Sequence, residues 1–211
     1  SMMKDLIERR LADPTLPMEE AFSQHLKEEE LELPAGQFAL FMNSMYAVDA
    51  YVRDYFRKAA LDALLAKKLP VTVFGEGWEK YSCGDGHSLR REPAVPFALS
   101  FERIAKAHVL LNVSPIFNRG MHDRVSAGMA NHAVVLTDEN PYLRRTFTGG
   151  KELLFYSLEK PDTLCEQAER ALTDVRLREK IAASAYETFE REYTWKRRAE
   201  QILAFAEEVE A

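Results

Sequence analysis

Three short clusters hold most of the side chains that could do chemistry. The first is Asn118-Arg119-Gly120-Met121-His122-Asp123-Arg124. A glycine lets backbone N–H groups approach an anion, Asn118 can donate and accept, and Arg119 or Arg124 can pair with phosphate-like oxygens. The same residues have plain structural roles: Asp123 in a first helical turn stabilises the helix dipole, and Arg124 could pair with Asp123, Asp138 or Glu139. The second cluster, Gly75-Glu76-Gly77-Trp78, is either a glycine loop that admits a ligand or a turn anchored by a packed indole. It is shorter than a dinucleotide fingerprint, and no helix clearly follows it. The third is Asp138-Glu139-Asn140, in which Asp138 can bind a hydroxyl or cap the next helix. No residue stands out as a nucleophile or general base. His25, His87, His108 and His132 lack any partner spacing and read as structural or surface groups.

The segments around these clusters say how they are positioned. "HVLLNVS" and "AVVLTD" are apolar strands separated by the amphipathic "HDRVSAGMANH", a strand–loop–helix–strand run that sets a helix N-terminus beside a strand end. "PVTVFG" is a short strand ending at Gly75, "SLRREPAVPF" contains a weak edge strand, and "ELLFYS" is a strand. "SFERIAKA" reads as a helix capped by Ser100, and "PYLRRTF" as a helix opened by Pro141. Beyond Pro161 the pattern is all helical, with starts at Thr173-Asp174 and Thr194. Residues 1–33 form one or two short helices broken at Pro14 and Pro17, and Gln37–Lys68 forms one long helix with a buried face. The alternation predicts an α/β fold: a Rossmann-like parallel sheet of four or five strands in one layer, including 71–74, 108–112, 133–137 and 153–156, flanked by helices. Residues 1–45 form an N-terminal helical extension, and 46–211 the Rossmann-like domain with its C-terminal helices. In such a sheet the three clusters follow strand carboxyl ends and line one cleft.

Composition narrows the function. The chain has 211 residues, 46% of them apolar, and a net charge of −6. Nine acids against four bases in residues 1–33 make that segment −5, so the remainder is nearly neutral. An acidic chain without a basic tract argues against nucleic-acid binding. Cys83 and Cys165 lie far apart and suggest neither a disulfide framework nor a zinc site. No apolar run approaches the roughly 20 residues that span a bilayer, and no secretory signal is visible. A bacterial-type cytoplasmic protein is the expectation. Ser1-Met2 before Met3 reads as a cloning scar, and the chain as an excised piece of a longer protein.

Several stretches together resemble a known family. "FGEGW", the run "LLNVSP…G…HDRV…M…AVVLTD…YL…F..GKELLFYSL" and "REKIAASAYETFEREYTWKRRAEQIL" are similar to the C-terminal half of glycosyltransferases with the two-Rossmann-domain (GT-B) architecture. The nearest group is the CgeB-like, spore-maturation-protein-like glycosyltransferases. The resemblance spans about residues 46–206, and residues 1–45 match nothing nameable. It implies a domain that holds a nucleoside diphosphate sugar as substrate, with no cofactor or metal. The diphosphate would lie near Asn118, Arg119, Gly120 and His122, and the ribose or sugar near Asp123, Arg124 and Asp138 to Asn140. The base would lie near Gly75, Gly77 and Trp78. It also implies a partner N-terminal domain that supplies the acceptor. Two departures stand out: the pair of glutamates common in relatives falls at Arg119 and Ala127, and the usual glycine before the strand is His132.

Two other classes are open. One is a non-catalytic Rossmann-like module that binds a nucleotide, a sugar or a partner protein. The other is a phospho-switch of the response-regulator kind, which would want clustered acids at the first strand end, where only Glu76 stands.

Overall fold

The computed structural model describes residues 1–82 and 88–210, so Cys83 and His87 lie outside the described residues. The chain opens with four helices: α1 (Met2–Ala12), α2 (Met18–Glu28), α3 (Ala35–Ser44) and α4 (Tyr46–Ala66). Strand β1 (Val71–Phe74) follows, then one 3₁₀ turn (Trp78–Lys80), β2 (Leu89–Glu92) and α5 (Phe97–Ala105). The central run is β3 (Val109–Asn112), α6 (Asp123–Ala130), β4 (Val134–Asp138), α7 (Pro141–Thr146) and β5 (Leu154–Tyr156). Three helices close the chain: α8 (Pro161–Thr173), α9 (Val175–Glu192) and α10 (Trp195–Glu210).

All strand pairings are parallel, as the alternation of strands and helices predicts, but the strands divide into two sheets. β1 pairs with β2, and β3–β4–β5 form a second sheet. The single layer expected from the sequence is therefore split. A cleft lined by residues of β1, β3 and α5 separates the two sheets, and α5 buries no residue.

The three-stranded sheet is covered on both faces. Val134, Leu136 and Leu154 pack with Leu6, Phe22, Val52, Leu164 and Ile181 from α1, α2, α4, α8 and α9. The alternate residues Val135, Leu153 and Phe155 pack with Val125 and Met129 of α6 and Ala185 of α9. This period-two division, with every position of β4 buried, is what makes "AVVLTD" apolar almost throughout.

The N-terminal helices share the first of these cores, so the extension expected at residues 1–45 is packed into the domain. Its anchor is Arg10, which is 1% exposed. Arg10 pairs with Asp49 of α4 and donates to the carbonyls of Leu16 (3.2 Å) and Pro115 (3.4 Å). Two local expectations need correction. The helix expected over Gln37–Lys68 is broken at Met45, which is buried. The break lets Phe38 and Phe41 reach Phe22, with ring centroids at 5.2 and 6.0 Å, while α4 runs on into the core. Ser100 does not cap a helix. Helix α5 begins at Phe97 behind Pro96, and the Ser100 hydroxyl donates back to the Phe97 carbonyl at 2.6 Å. The starts at Asp174 and Thr194 do form: Asp174 accepts from the Leu177 amide at 2.9 Å, and Thr194 from the Arg197 amide at 3.3 Å.

Helix α6 lies unusually close to the sheet because of Gly128. A Cβ there would fall 2.9 Å from Leu110 Cδ2 and closer still to Val135. Gly128→Ala should therefore destabilise the protein by about 1–3 kcal/mol through overpacking, although alanine is the better helix former. Urea unfolding of the two proteins checks this, and an unchanged midpoint would contradict it.

Candidate functional site

The carboxyl ends of β3 and β4 carry a buried polar network centred on Asn112. Its side-chain oxygen accepts from Arg124 Nη1 (2.6 Å) and from the Ser114 hydroxyl (3.0 Å). Its amide nitrogen donates to Thr137 Oγ1 (3.0 Å), a pairing set by the register of Asn112 against Thr137. Its backbone oxygen accepts from the Tyr156 hydroxyl at 2.9 Å. Asp138 accepts the Ser114 amide at 2.8 Å. Burial pushes the Asp138 carboxyl up to about 6, against the pull of the Ser114 amide and the Arg124 charge.

Helix α6 starts at the edge of this network. His122 is its N-cap, and Nδ1 accepts the Arg124 amide at 3.1 Å. Nδ1 also lies 2.5 Å from Asp123 Oδ1, whose charge pulls towards the protonated ring. Burial, then the neighbouring Arg124, and more weakly Arg57, lower the imidazole pKa against the pull of Asp123. The neutral, capping form is favoured, with its proton on Nε2. The amides of Met121, His122 and Asp123 have no acceptor among the described residues, so the positive end of the α6 dipole is open.

This helix start borders a cleft of about 1810 Å³ between the two sheets. That exceeds the roughly 300–1,000 Å³ of ordinary small-molecule sites. Gly77, Trp78, Gly120, His122, Asp123 and Arg124 all line it. Gly75 and Gly77 take φ of +112° and +89°, which a side chain would strain, and the turn they make swings the half-buried Trp78 towards the cleft. Trp78 packs edge-on against Tyr81 at 6.5 Å.

Gly75, Asn118, Arg119, Asp138 and Asn140 are not among the lining residues. Asn118 is buried and donates to the carbonyls of Pro14 (2.8 Å) and Pro115 (2.9 Å). Arg119 pairs with Glu20 of α2. Asn140 caps α7 by accepting the Leu143 amide (2.8 Å), and its nitrogen holds the carbonyls of Phe117 (2.7 Å) and Gly120 (3.1 Å). These residues build the loop that carries the helix start. Glu139 pairs with Arg144, so it leaves Arg124 alone.

One cleft residue carries no mark in the sequence clusters. Arg57 of α4 is half-buried and lines the cleft together with Arg124 and His122. Burial, then the charges of Arg124 and Arg53, lower its pKa, and the only opposing influence is Asp54. Asp54 itself is bonded to Arg53 at 3.1 Å. The sequence signal was Arg53 and Arg57 one helical turn apart, a like-charge pair that helices otherwise avoid.

Among the described residues no group of three or more His, Cys, Asp or Glu side chains is placed to hold a metal ion. Nor is any helix there long and apolar enough to cross a membrane.

The profile of the family described as "Glycosyl transferase-like" matches residues 53–204. The chain belongs to this family. The matched span runs from α4 into α10 and takes in both sheets and the cleft. No curated protein matches the chain. In this glycosyltransferase-like domain, His132, shortly before β4, has φ of +55°. Its ring stacks on Tyr186 at 4.1 Å, a contact that offsets the left-handed backbone.

The raised Asp138 pKa gives a pH test. The folded chain holds this proton more tightly than the unfolded one, about 6 against 3.8. Its favourable contribution is complete below the unfolded value and is lost as the pH rises through the folded one. Asp138→Asn does not titrate. Its stability relative to the natural protein should therefore improve by roughly 2–3 kcal/mol between about pH 4 and pH 7. Urea unfolding at both pH values measures this, and a constant difference would contradict it.

Proposed function

We propose that this chain is the donor-binding domain of a glycosyltransferase with two Rossmann-like domains, of the CgeB-like kind. It takes a nucleoside diphosphate sugar in the cleft between the sheets. The observation that carries this reading is the open α6 start. Three amides without acceptors, the neutral His122 and the charged Arg124 face one cleft in a glycosyl transferase-like chain. These groups suit the diphosphate, whose negative charge grows as the sugar leaves. Fixed donors of this kind stabilise the leaving group without reorganising. Trp78 beside Gly77 offers an aromatic face to the base. The acceptor, and any base that activates it, would come from a second domain, so the chain alone binds the donor without transferring its sugar.

Arg119 and Ala127 stand where relatives commonly carry glutamates, and this favours a second reading, a binding module of the same fold without catalytic activity. Activity tells the two readings apart. On the first, adding the acceptor-binding half yields transfer; on the second, binding persists and transfer never appears.

Uridine or guanosine diphosphate should shift the amide resonances of Gly120, Met121, His122 and Asp123. Arg124→Ala should weaken binding by about 1.5–3 kcal/mol. Arg119→Ala should leave affinity unchanged, because Arg119 is occupied by Glu20 outside the cleft. Titration calorimetry checks both variants. A folded protein that binds neither nucleotide at millimolar concentration would refute the donor-site reading.

A further inference from the structure

We infer that Arg57 of α4 is a second cationic clamp for the diphosphate, beside the Arg124 and His122 of the α6 start. This rests on the donor-binding reading above and extends it to a residue outside the strand-end loops. The two arginines of the cleft are held differently. Arg124 is tied to Asn112 at 2.6 Å within the buried network. Arg57 makes no hydrogen bond or ion pair among the described residues, although it is half-buried and lines the same cleft. The nearest carboxylate, Asp54, is engaged by Arg53.

A half-buried charge keeps only part of its hydration and gains from a partner. Here the surroundings add repulsion. Arg124 and Arg53 both act on Arg57, and both Arg57 and Arg124 disfavour a proton on His122. The cleft thus gathers Arg57, Arg124 and His122, while its carboxylates are Asp54, held by Arg53, Asp123, which lies against His122, and Glu76. A ligand with two adjacent phosphates matches the two arginines: one group sits on the α6 amides and Arg124, and the other meets the Arg57 fork. The ordinary alternative is that Arg57 is a surface arginine whose stem packs on α4 and whose head is solvated.

The two alternatives differ in ligand-free stability. If Arg57 is held for an anion, removing its charge relieves repulsion. Arg57→Met keeps the aliphatic stem, so its ligand-free melting temperature should equal or exceed that of the natural protein. Its affinity for inorganic pyrophosphate and for uridine diphosphate should fall about tenfold, while affinity for uridine stays the same. Arg57→Lys keeps the charge without the fork and should lose less.

The outcomes separate cleanly. If the natural protein binds uridine or guanosine diphosphate and Arg57→Met binds it within twofold, the clamp is refuted and the donor-site reading stands. A lowered ligand-free melting temperature in Arg57→Met also refutes the clamp, because it shows a side chain held by the fold. An equal loss for uridine and uridine diphosphate refutes it too, since the effect would not follow the phosphates. If the natural protein binds neither nucleotide, the donor-site reading itself fails and the clamp with it.

Discussion

The buried amide of Asn112 is the constraint on which this structure turns. One side chain accepts from Arg124 and Ser114 and donates to Thr137, and its backbone oxygen holds Tyr156. Each of these groups lies in a different element, so the network locks β3, β4, β5 and α6 into one arrangement. Among the described residues no buried side-chain polar atom lacks a partner. That completeness matters in a low-dielectric interior, where a satisfied network specifies one geometry and a broken one is costly. A helix start that faces a cleft needs such fixing, because its own amides are left open.

The loop before α6 is held from an unexpected direction. Pro14 and Glu20, in the first 20 residues, engage Asn118 and Arg119, and Arg10 reaches the Pro115 carbonyl. The acidic N-terminal segment thus spends part of its charge on the structure of the site. Asn118 gives the loop its shape, and the residues from Gly120 on face the cleft.

Local signals were readable in the sequence. The apolar runs of β3, β4 and β5 and the caps Asp174 and Thr194 all depend on neighbours a few positions away. What escaped depended on distance. Asn118 resembles a ligand donor until Pro14, 104 positions away, is seen to hold it. Arg119 looks free until α2 is folded beside it. Arg57 carries no motif, and its significance lies in the absence of a partner, which only packing reveals. The split of the sheet was equally hidden, since strand periodicity says nothing of how far apart two strands lie. Asn112 left a faint trace, as the one polar residue closing an otherwise apolar strand.

Gly128 has a kinetic meaning as well as a steric one. Because Gly128 seats α6 directly on the Val135 and Leu110 side chains, the helix has little room to slide or roll. Its amino end is ordered when the chain folds, before any ligand arrives. The entropy of aligning those amides is then lost during folding and is not charged against affinity. Association at this end should resemble insertion into a rigid socket, leaving adaptation to the loosely covered β1–β2 side of the cleft.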